Sequence, residues 1–392
     1  MSSLTNTDVR PTPGSEATIR EINQQPDIWQ EVSRNIDAQQ EGLNRFLDPL
    51  LARADLRIVL TGAGTSAFVG TIAAPALSRL LHRRVDAIAT TDIVSNPEVY
   101  FAEDVPTLLV SFARSGNSPE SSAATHLANE ILSDVSHLVL TCDESGSLFS
   151  EHSEKLKSKV VLMPARANDE GFAMTSSFTS MLLSSLLILG GANDAAVTSL
   201  RASAVHILEK LQSPIRELAT GPYERVVYLG SGSLAGLARE SALKLLELTA
   251  GKVVSYHDSS LGFRHGPKSV LNDRTLVLVY LSSDPYTRQY DLDIVAELRA
   301  SIPASNLVVI SSSALSPNTT QQNLVLEALD GLDDAFLAVA FVLVAQILAV
   351  SFSLNLGMTP DNPFPGGNVN RVVKGVSIHP LNATTKNSSV TD

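Results

Sequence analysis

Two stretches of this sequence carry side chains whose types and spacing suit proton-transfer chemistry on an anionic substrate. In the first, Glu240, Lys244 and Glu247 stand at i, i+4 and i+7, so on a helix they fall within one arc of about 60°. Apart from Arg239, most of the remaining circumference carries Leu or Ala. A thin charged stripe on an otherwise apolar helix predicts burial, with the charges turned to a cleft or a partner. The same spacing also fits ordinary i,i+3 and i,i+4 ion pairs. His265 comes later in the run Arg264-His265-Gly266-Pro267, where a Gly-Pro turn pins its backbone. A lone His is more often structural, but a His and a Glu in one cleft are the acid and base that proton transfer needs.

The second stretch is Val110-Ser-Phe-Ala-Arg-Ser-Gly-Asn-Ser-Pro-Glu-Ser-Ser122. It reads as a strand running into a loop of small hydroxyl residues, with Ser118 as N-cap and Pro119 at the first helical position. Free N–H groups and the positive dipole end at such a helix start, joined by the Ser115 and Ser118 hydroxyls, make a cradle for phosphate. Arg114 adds a full positive charge, and Thr65 and Ser66, on a neighbouring strand-turn, point to the same edge. The plainer reading is a capped helix after a glycine turn.

These groups need a scaffold that brings residues near 115 and 247 together. The run Arg57-Ile-Val-Leu-Thr-Gly-Ala-Gly-Thr-Ser-Ala has a counterpart in Arg225-Val-Val-Tyr-Leu-Gly-Ser-Gly-Ser-Leu-Ala, 168 residues later. The succeeding elements repeat in the same order: apolar strands at 107–110 and 276–281 and at 137–140 and 307–310, then an apolar helix at 181–189 and again after Ala335. Strands alternating with helices predict a parallel sheet covered on both faces. The expected fold is α/β, two doubly wound parallel-sheet domains in tandem, 51–213 and 214–380, joined near 213–221. Residues 17–51 read as a helical arm broken at Pro26 and Pro49, and 1–15 and 381–392 as disordered tails.

The balance of 29 basic against 41 acidic residues, net −12, argues against nucleic acid or an anionic membrane surface as partner. A single cysteine, Cys142, excludes an intramolecular disulfide and a cysteine zinc cluster and suits a cytoplasmic protein; a small buried residue at a strand end is its simplest reading. The apolar run 335–354 has the length of a membrane span, but Gln346 interrupts it and no basic cluster flanks it, so a core or interface helix is preferred. Gly62-Ala-Gly-Thr-Ser-Ala67 loosely meets a dinucleotide fingerprint, yet the acidic residue expected about 20 positions on is only Asp86, which is not cleanly at a strand end.

Taken together, residues 21–380 resemble two sugar isomerase (SIS) domains in tandem. Ser115-Gly116-Asn117-Ser118 resembles the family's phosphate loop, which places Asn117 beside Ser66, Thr65, Arg114, Ser115 and Ser118 among the phosphate-binding candidates. The stripe 240–247 and the loop 264–267 look like the catalytic helix and loop of the isomerase half of glucosamine-6-phosphate synthase. Asn370-Arg-Val-Val-Lys374 is similar to its lysine-bearing C-terminal loop, and Thr18-x-x-Glu21 with Trp29 to its N-terminal arm. Within the family the pattern is most similar to the tagatose-6-phosphate ketose/aldose isomerase and galactosamine-6-phosphate deaminase branch. One departure is Ala113-Arg114, where the synthase has Ser-Gln. Another is that no glutaminase segment or N-terminal nucleophilic Cys is present, so the reaction is expected to release ammonia or involve none.

The resemblance implies a mechanism. His265, supplied by a partner subunit of a homodimer or larger homo-oligomer, opens the sugar ring; Glu247 moves a proton from C2 to C1; Lys244 holds the enolate oxygen. Lys374 binds the open-chain sugar or forms a transient imine. Burial on the apolar helix is expected to raise the Glu247 pKa toward neutrality. No metal or redox cofactor is required. With nitrogen on C2 the product is a ketose phosphate and ammonia, and galactosamine 6-phosphate would give tagatose 6-phosphate; with oxygen on C2 the same steps are a plain isomerisation. A non-catalytic sugar-phosphate sensor is the alternative of a different class.

Overall fold

Apolar β-branched runs bounded by glycine turns become strands buried on both faces. The computed structural model describes residues 12–315, 322–373 and 375–381. Strands β1 (Arg57–Thr61), β2 (Val85–Ala87), β3 (Thr107–Ala113), β4 (Val135–Thr141) and β5 (Ser158–Leu162) form one sheet, ordered β2-β1-β3-β4-β5. A second sheet holds β6 (Arg225–Gly230), β7 (Val254–Ser259), β8 (Thr275–Tyr280), β9 (Leu307–Ser311) and β10 (Gln322–Val325), ordered β10-β9-β8-β6-β7. Read from β7, the second order repeats the first. All pairings are parallel, and every residue of β3 and β4 is buried, as a sheet covered by crossover helices requires.

The internal repeat extends to backbone angles. Gly64 has φ +56° and Gly232 φ +54°, a region where side chains are strained. A Cβ on Gly62 would lie 2.6 Å from the Ser66 carbonyl carbon, and one on Gly230 2.6 Å from the Leu234 oxygen. The next helices, Thr65–Leu80 and Ser233–Leu248, have 16 residues each. They cross closely at Gly236, where a Cβ would lie 2.8 Å from Ile72 Cγ1 and 3.2 Å from the Ile72 nitrogen. This crossing joins the two halves.

The long apolar helix, Asp334–Asn355, packs against Ser233–Leu248. It is long and apolar enough to cross a membrane by length and composition, but 94% of its most apolar window is buried inside the fold. Its one interior amide, Gln346, accepts from Gln25 Nε2 at 2.7 Å, while Gln25 Oε1 accepts from Thr179 Oγ1 at 2.8 Å. A buried amide so partnered belongs to a protein core.

The N-terminal arm is two helices, Glu16–Asn23 and Gln25–Leu51. Pro26 starts the second, where a missing N–H costs nothing. Pro49, expected to break it, does not. It sits in the last turn, and the carbonyl it frees belongs to exposed Arg45, which water can satisfy. The expected disorder of 1–15 is corrected at Thr12–Ser15, a turn whose Ser15 is buried and whose Ser15 N–H donates to the Thr12 carbonyl at 3.0 Å. Residues 1–11 and 382–392, also expected to be disordered, lie outside the described residues, as does Lys374.

Replacing Gly236 by Val would force a branched side chain against the Ile72 backbone. The expected cost is about 1–3 kcal/mol, read as a lower urea midpoint with an unchanged slope. An unchanged midpoint would show that the helices separate without cost.

Candidate active site

The helix Ser233–Leu248 leaves the glycine turn after β6 and runs beneath the corresponding turn of the first half. Its stripe converges on one cation. The Lys244 side chain is fully buried, with Nζ 2.6 Å from Glu247 Oε2 and 3.4 Å from Glu240 Oε1. It also donates to Thr65 Oγ1 at 2.9 Å. Ion pairing and burial, the two readings of the spacing, are therefore both realised. A buried ammonium is tolerable only with such partners. Burial works against its charge, but Glu240 and Glu247 outweigh that and hold its pKa above the ordinary lysine value.

The carboxyl that burial pushes up is Glu240, to about 7, with Lys244 opposing and Glu247 reinforcing the shift. Sequence reasoning looks for the buried acid at Glu247; the fully enclosed one is Glu240, whereas the Glu247 side chain is 24% exposed and is the one acid of the stripe open to an incoming molecule.

Across the helix crossing, β3 ends at Ala113 and the loop 114–118 leads into the helix Pro119–Ile131, with Gly116 at φ +64° making the turn. A cavity of about 110 Å³ opens here, lined by the Ser66, Ser115, Ser118 and Ser121 side chains, by Arg114 and by residues 371–373. Four of the six phosphate candidates, Ser66, Arg114, Ser115 and Ser118, thus come together. Thr65 is engaged by Lys244 instead. Asn117 is a brace, its Oδ1 accepting from Ser147 N at 3.0 Å and Ser147 Oγ at 3.1 Å.

Arg114 is 7% exposed and donates to the carbonyls of Phe172 at 3.3 Å and Arg371 at 2.9 Å. Burial first, then the Arg371 guanidinium, hold its pKa below the ordinary arginine value, while Asp169, Cys142 and Glu247 act in the opposite sense. Neither Glu247 nor Lys244 is among the residues lining the cavity. Two lining residues were missed. Ser121, whose Oγ lies 2.6 Å from Ser118 Oγ, was legible as the position three residues past the N-cap. Arg371 was legible as the basic residue of the C-terminal motif.

From the loop 169–175, Met174 lines the cavity. Asp169 caps the helix Ser176–Gly190 through the N–H groups of Thr175, Ser176 and Ser177, and Glu21 of the arm accepts from Glu170 and Gly171 N–H. Burial, followed by the Asp169 charge, raises Glu21 to about 7.

His265 is exposed, in a turn where its N–H donates to the Gly262 carbonyl at 2.9 Å. It is not among the residues lining the cavity. Asp86 lies inside β2 and is bonded to Arg57 Nε at 3.0 Å and Arg84 Nε at 2.6 Å, so it is engaged away from any ribose. Among the described residues, no group of three or more His, Cys, Asp or Glu is placed to hold a metal ion.

Comparison with known proteins adds to this geometry. The SIS domain model matches residues 50–189 and 222–356. A Streptomyces coelicolor protein is 54% identical over 368 residues, 93% of this chain and 96% of its own length. D-galactosamine-6-phosphate deaminase AgaS of Escherichia coli is 45% identical over 381 residues, 95% of this chain and 99% of its own. The crystal structure of tagatose-6-phosphate ketose/aldose isomerase from Escherichia coli has 42% identity and a TM-score of 0.85, covering 95% of this chain and all of that one.

Replacing Lys244 by Met leaves the buried Glu240 without its cation and beside Glu247, at an expected cost of about 3–5 kcal/mol. The Glu240 pKa, already above its unfolded value of 4.5, would rise further. The contribution of Glu240 to the variant's stability is therefore fully present below pH 4.5 and is lost as the pH rises through 7 and above. Urea melts at pH 6 and pH 8 should show the larger deficit at pH 8; equal deficits would mean that the two carboxylates do not interact.

Proposed function

The chain belongs to the SIS domain family, and on that premise we propose that it is a sugar-phosphate isomerase/deaminase converting galactosamine 6-phosphate to tagatose 6-phosphate and ammonia. The observation that carries this reading is the buried Lys244, which joins the open acid Glu247 to Thr65, next to Ser66 of the hydroxyl-lined cavity. The names of the relatives support the substrate.

The substrate's phosphate enters the cavity on the Ser66, Ser115 and Ser118 hydroxyls and the start of the helix Pro119–Ile131. His265, from the partner in a cytoplasmic homodimer, shuttles the proton that opens the ring. Its exposure, and the 44% exposure of Leu261 at the head of the same loop, support its delivery to a second copy. Glu247 then takes the C2 proton of the open-chain aldehyde, and the electrons move to the carbonyl, where O1 gains a proton. Lys244 offers positive charge to the developing oxyanion. Returning the proton to C1 leaves an imine at C2; water adds there and ammonia departs, giving the ketose. Lys374 is assigned to the open-chain sugar, as a binding group or a transient imine.

A second reading, plain interconversion of ketose and aldose phosphates, is favoured by the name of the structural relative and needs no step beyond the proton transfer. Incubation with galactosamine 6-phosphate should release one ammonia per ketose formed. No ammonia, together with interconversion of tagatose 6-phosphate and an aldose phosphate, would leave the isomerase standing alone. Glu247→Gln should lower turnover by about 100-fold or more while substrate still binds; full turnover in that variant would remove Glu247 from the chemistry.

A further inference from the structure

Two guanidiniums meet at the mouth of the cavity. Arg114, from the loop after β3, is buried, and Arg371 comes from the C-terminal segment 371–373 that forms one wall. The hydrogen bonds of both end on main-chain carbonyls: Arg114 on Phe172 and Arg371, Arg371 on Asp169. Some arginines near the sheets have carboxylate partners, as Arg57 has Asp86 and Arg264 has Glu297, while Arg83 also rests on carbonyls, those of Arg53 and Leu51. Among the described residues, Arg114 and Arg371 are two neighbouring cations whose hydrogen bonds go to carbonyls, in a chain with 41 acidic residues against 29 basic. They repel each other and raise the local potential of the cavity they share.

Beneath them the cavity is lined by four serines, two of them at the start of the 13-residue helix Pro119–Ile131, with apolar residues between; Glu120, the acid of that helix's first turn, is not among the lining residues. A doubly charged tetrahedral oxyanion fits that donor set, because it can accept from both guanidiniums at once and cancel their repulsion. Arg371 and Arg114 join the segment 371–373 to the first half through carbonyl contacts, so the same anion would tie that segment down.

We propose that Arg371 is a phosphate-binding residue, and that the substrate's phosphate dianion, bridging Arg371 and Arg114, fixes the C-terminal segment against the first half. This rests on the sugar-phosphate reading above and extends it: an unphosphorylated amino sugar would leave the segment unfixed, which makes the phosphate a condition for assembling the site as well as a handle. Because a phosphate monoester carries its second charge only above about pH 6, binding should strengthen as the pH rises from 5 to 7.

The test uses the full chain and inorganic phosphate as the probe. Calorimetry should show Arg371→Gln weakening phosphate at least about tenfold, with Arg371→Lys recovering part of the loss. Hydrogen exchange of the segment around 371–373 should slow on adding phosphate to the wild type and not to Arg371→Gln. Thermal melts of both variants should match the wild type, since Arg371 is exposed. Phosphate affinity in Arg371→Gln within twofold of wild type, or a wild type that binds phosphate with no change in exchange, would overturn the proposal. Ammonia release by the wild type is measured separately. Loss of phosphate affinity in Arg371→Gln without ammonia release in the wild type sinks only the reaction; ammonia release with unchanged phosphate affinity sinks only this inference.

Discussion

One buried ammonium holds the two halves of this protein in working register. Lys244 has no water to solvate it and is satisfied by two carboxylates of its own helix and one hydroxyl from the other half. Each partner is fixed by something else: Glu240 and Glu247 by the helix Ser233–Leu248, Thr65 by the glycine turn after β1. The cost of burying the charge is met only when all three converge, so the arrangement of the halves and that of the site are the same constraint. The close crossing at Gly236 makes the convergence possible.

The two halves share a fold and differ in what they do with it. After β3 the first half has hydroxyls and a guanidinium around a cavity. At the corresponding edge of the second, the chain supplies its own anion: Asp291 accepts from Ser231 Oγ at 2.6 Å, Ser260 Oγ at 2.5 Å and Ser282 N at 3.0 Å. The loop after β8 adds Asp284, bonded to Thr287 N–H at 2.8 Å, where the first half has Ser118. An edge whose donors already hold carboxylates does not attract a phosphate. On the proposed reading the first half would seat the anion and the second would supply the acid and the cation.

Much of this was legible from local pattern. The repeated glycine turns, the strand runs and their spacing come from short-range rules, since left-handed glycines and buried β-branched runs are constrained by their immediate neighbours. The charged stripe was legible for the same reason: helical periodicity places Glu240, Lys244 and Glu247 without knowledge of the rest. What was not legible depends on contact between the halves. Thr65 stands beside Ser66 on the same strand-turn, which makes both look like phosphate donors, yet a step of one residue along a helix turns a side chain by about 100°, toward Lys244. The order of depth of Glu240 and Glu247 is set by which end of the helix lies under the first half, and periodicity carries no information on that. The engagement of the Asn117 carbonyl oxygen by Ser147 is of the same kind, since no local pattern encodes the proximity of Ser147.

The most direct measurement of the link between the halves is the steady-state kinetics of Thr65→Val, a near-isosteric change that deletes one acceptor. If Thr65 aims Lys244 at the reacting carbons, kcat falls by about tenfold or more, on the order of one hydrogen bond to a charged group, while KM and inorganic phosphate affinity stay within about twofold of wild type. A raised KM and weakened phosphate binding with kcat unchanged would make Thr65 a phosphate ligand and contradict the role given to Lys244.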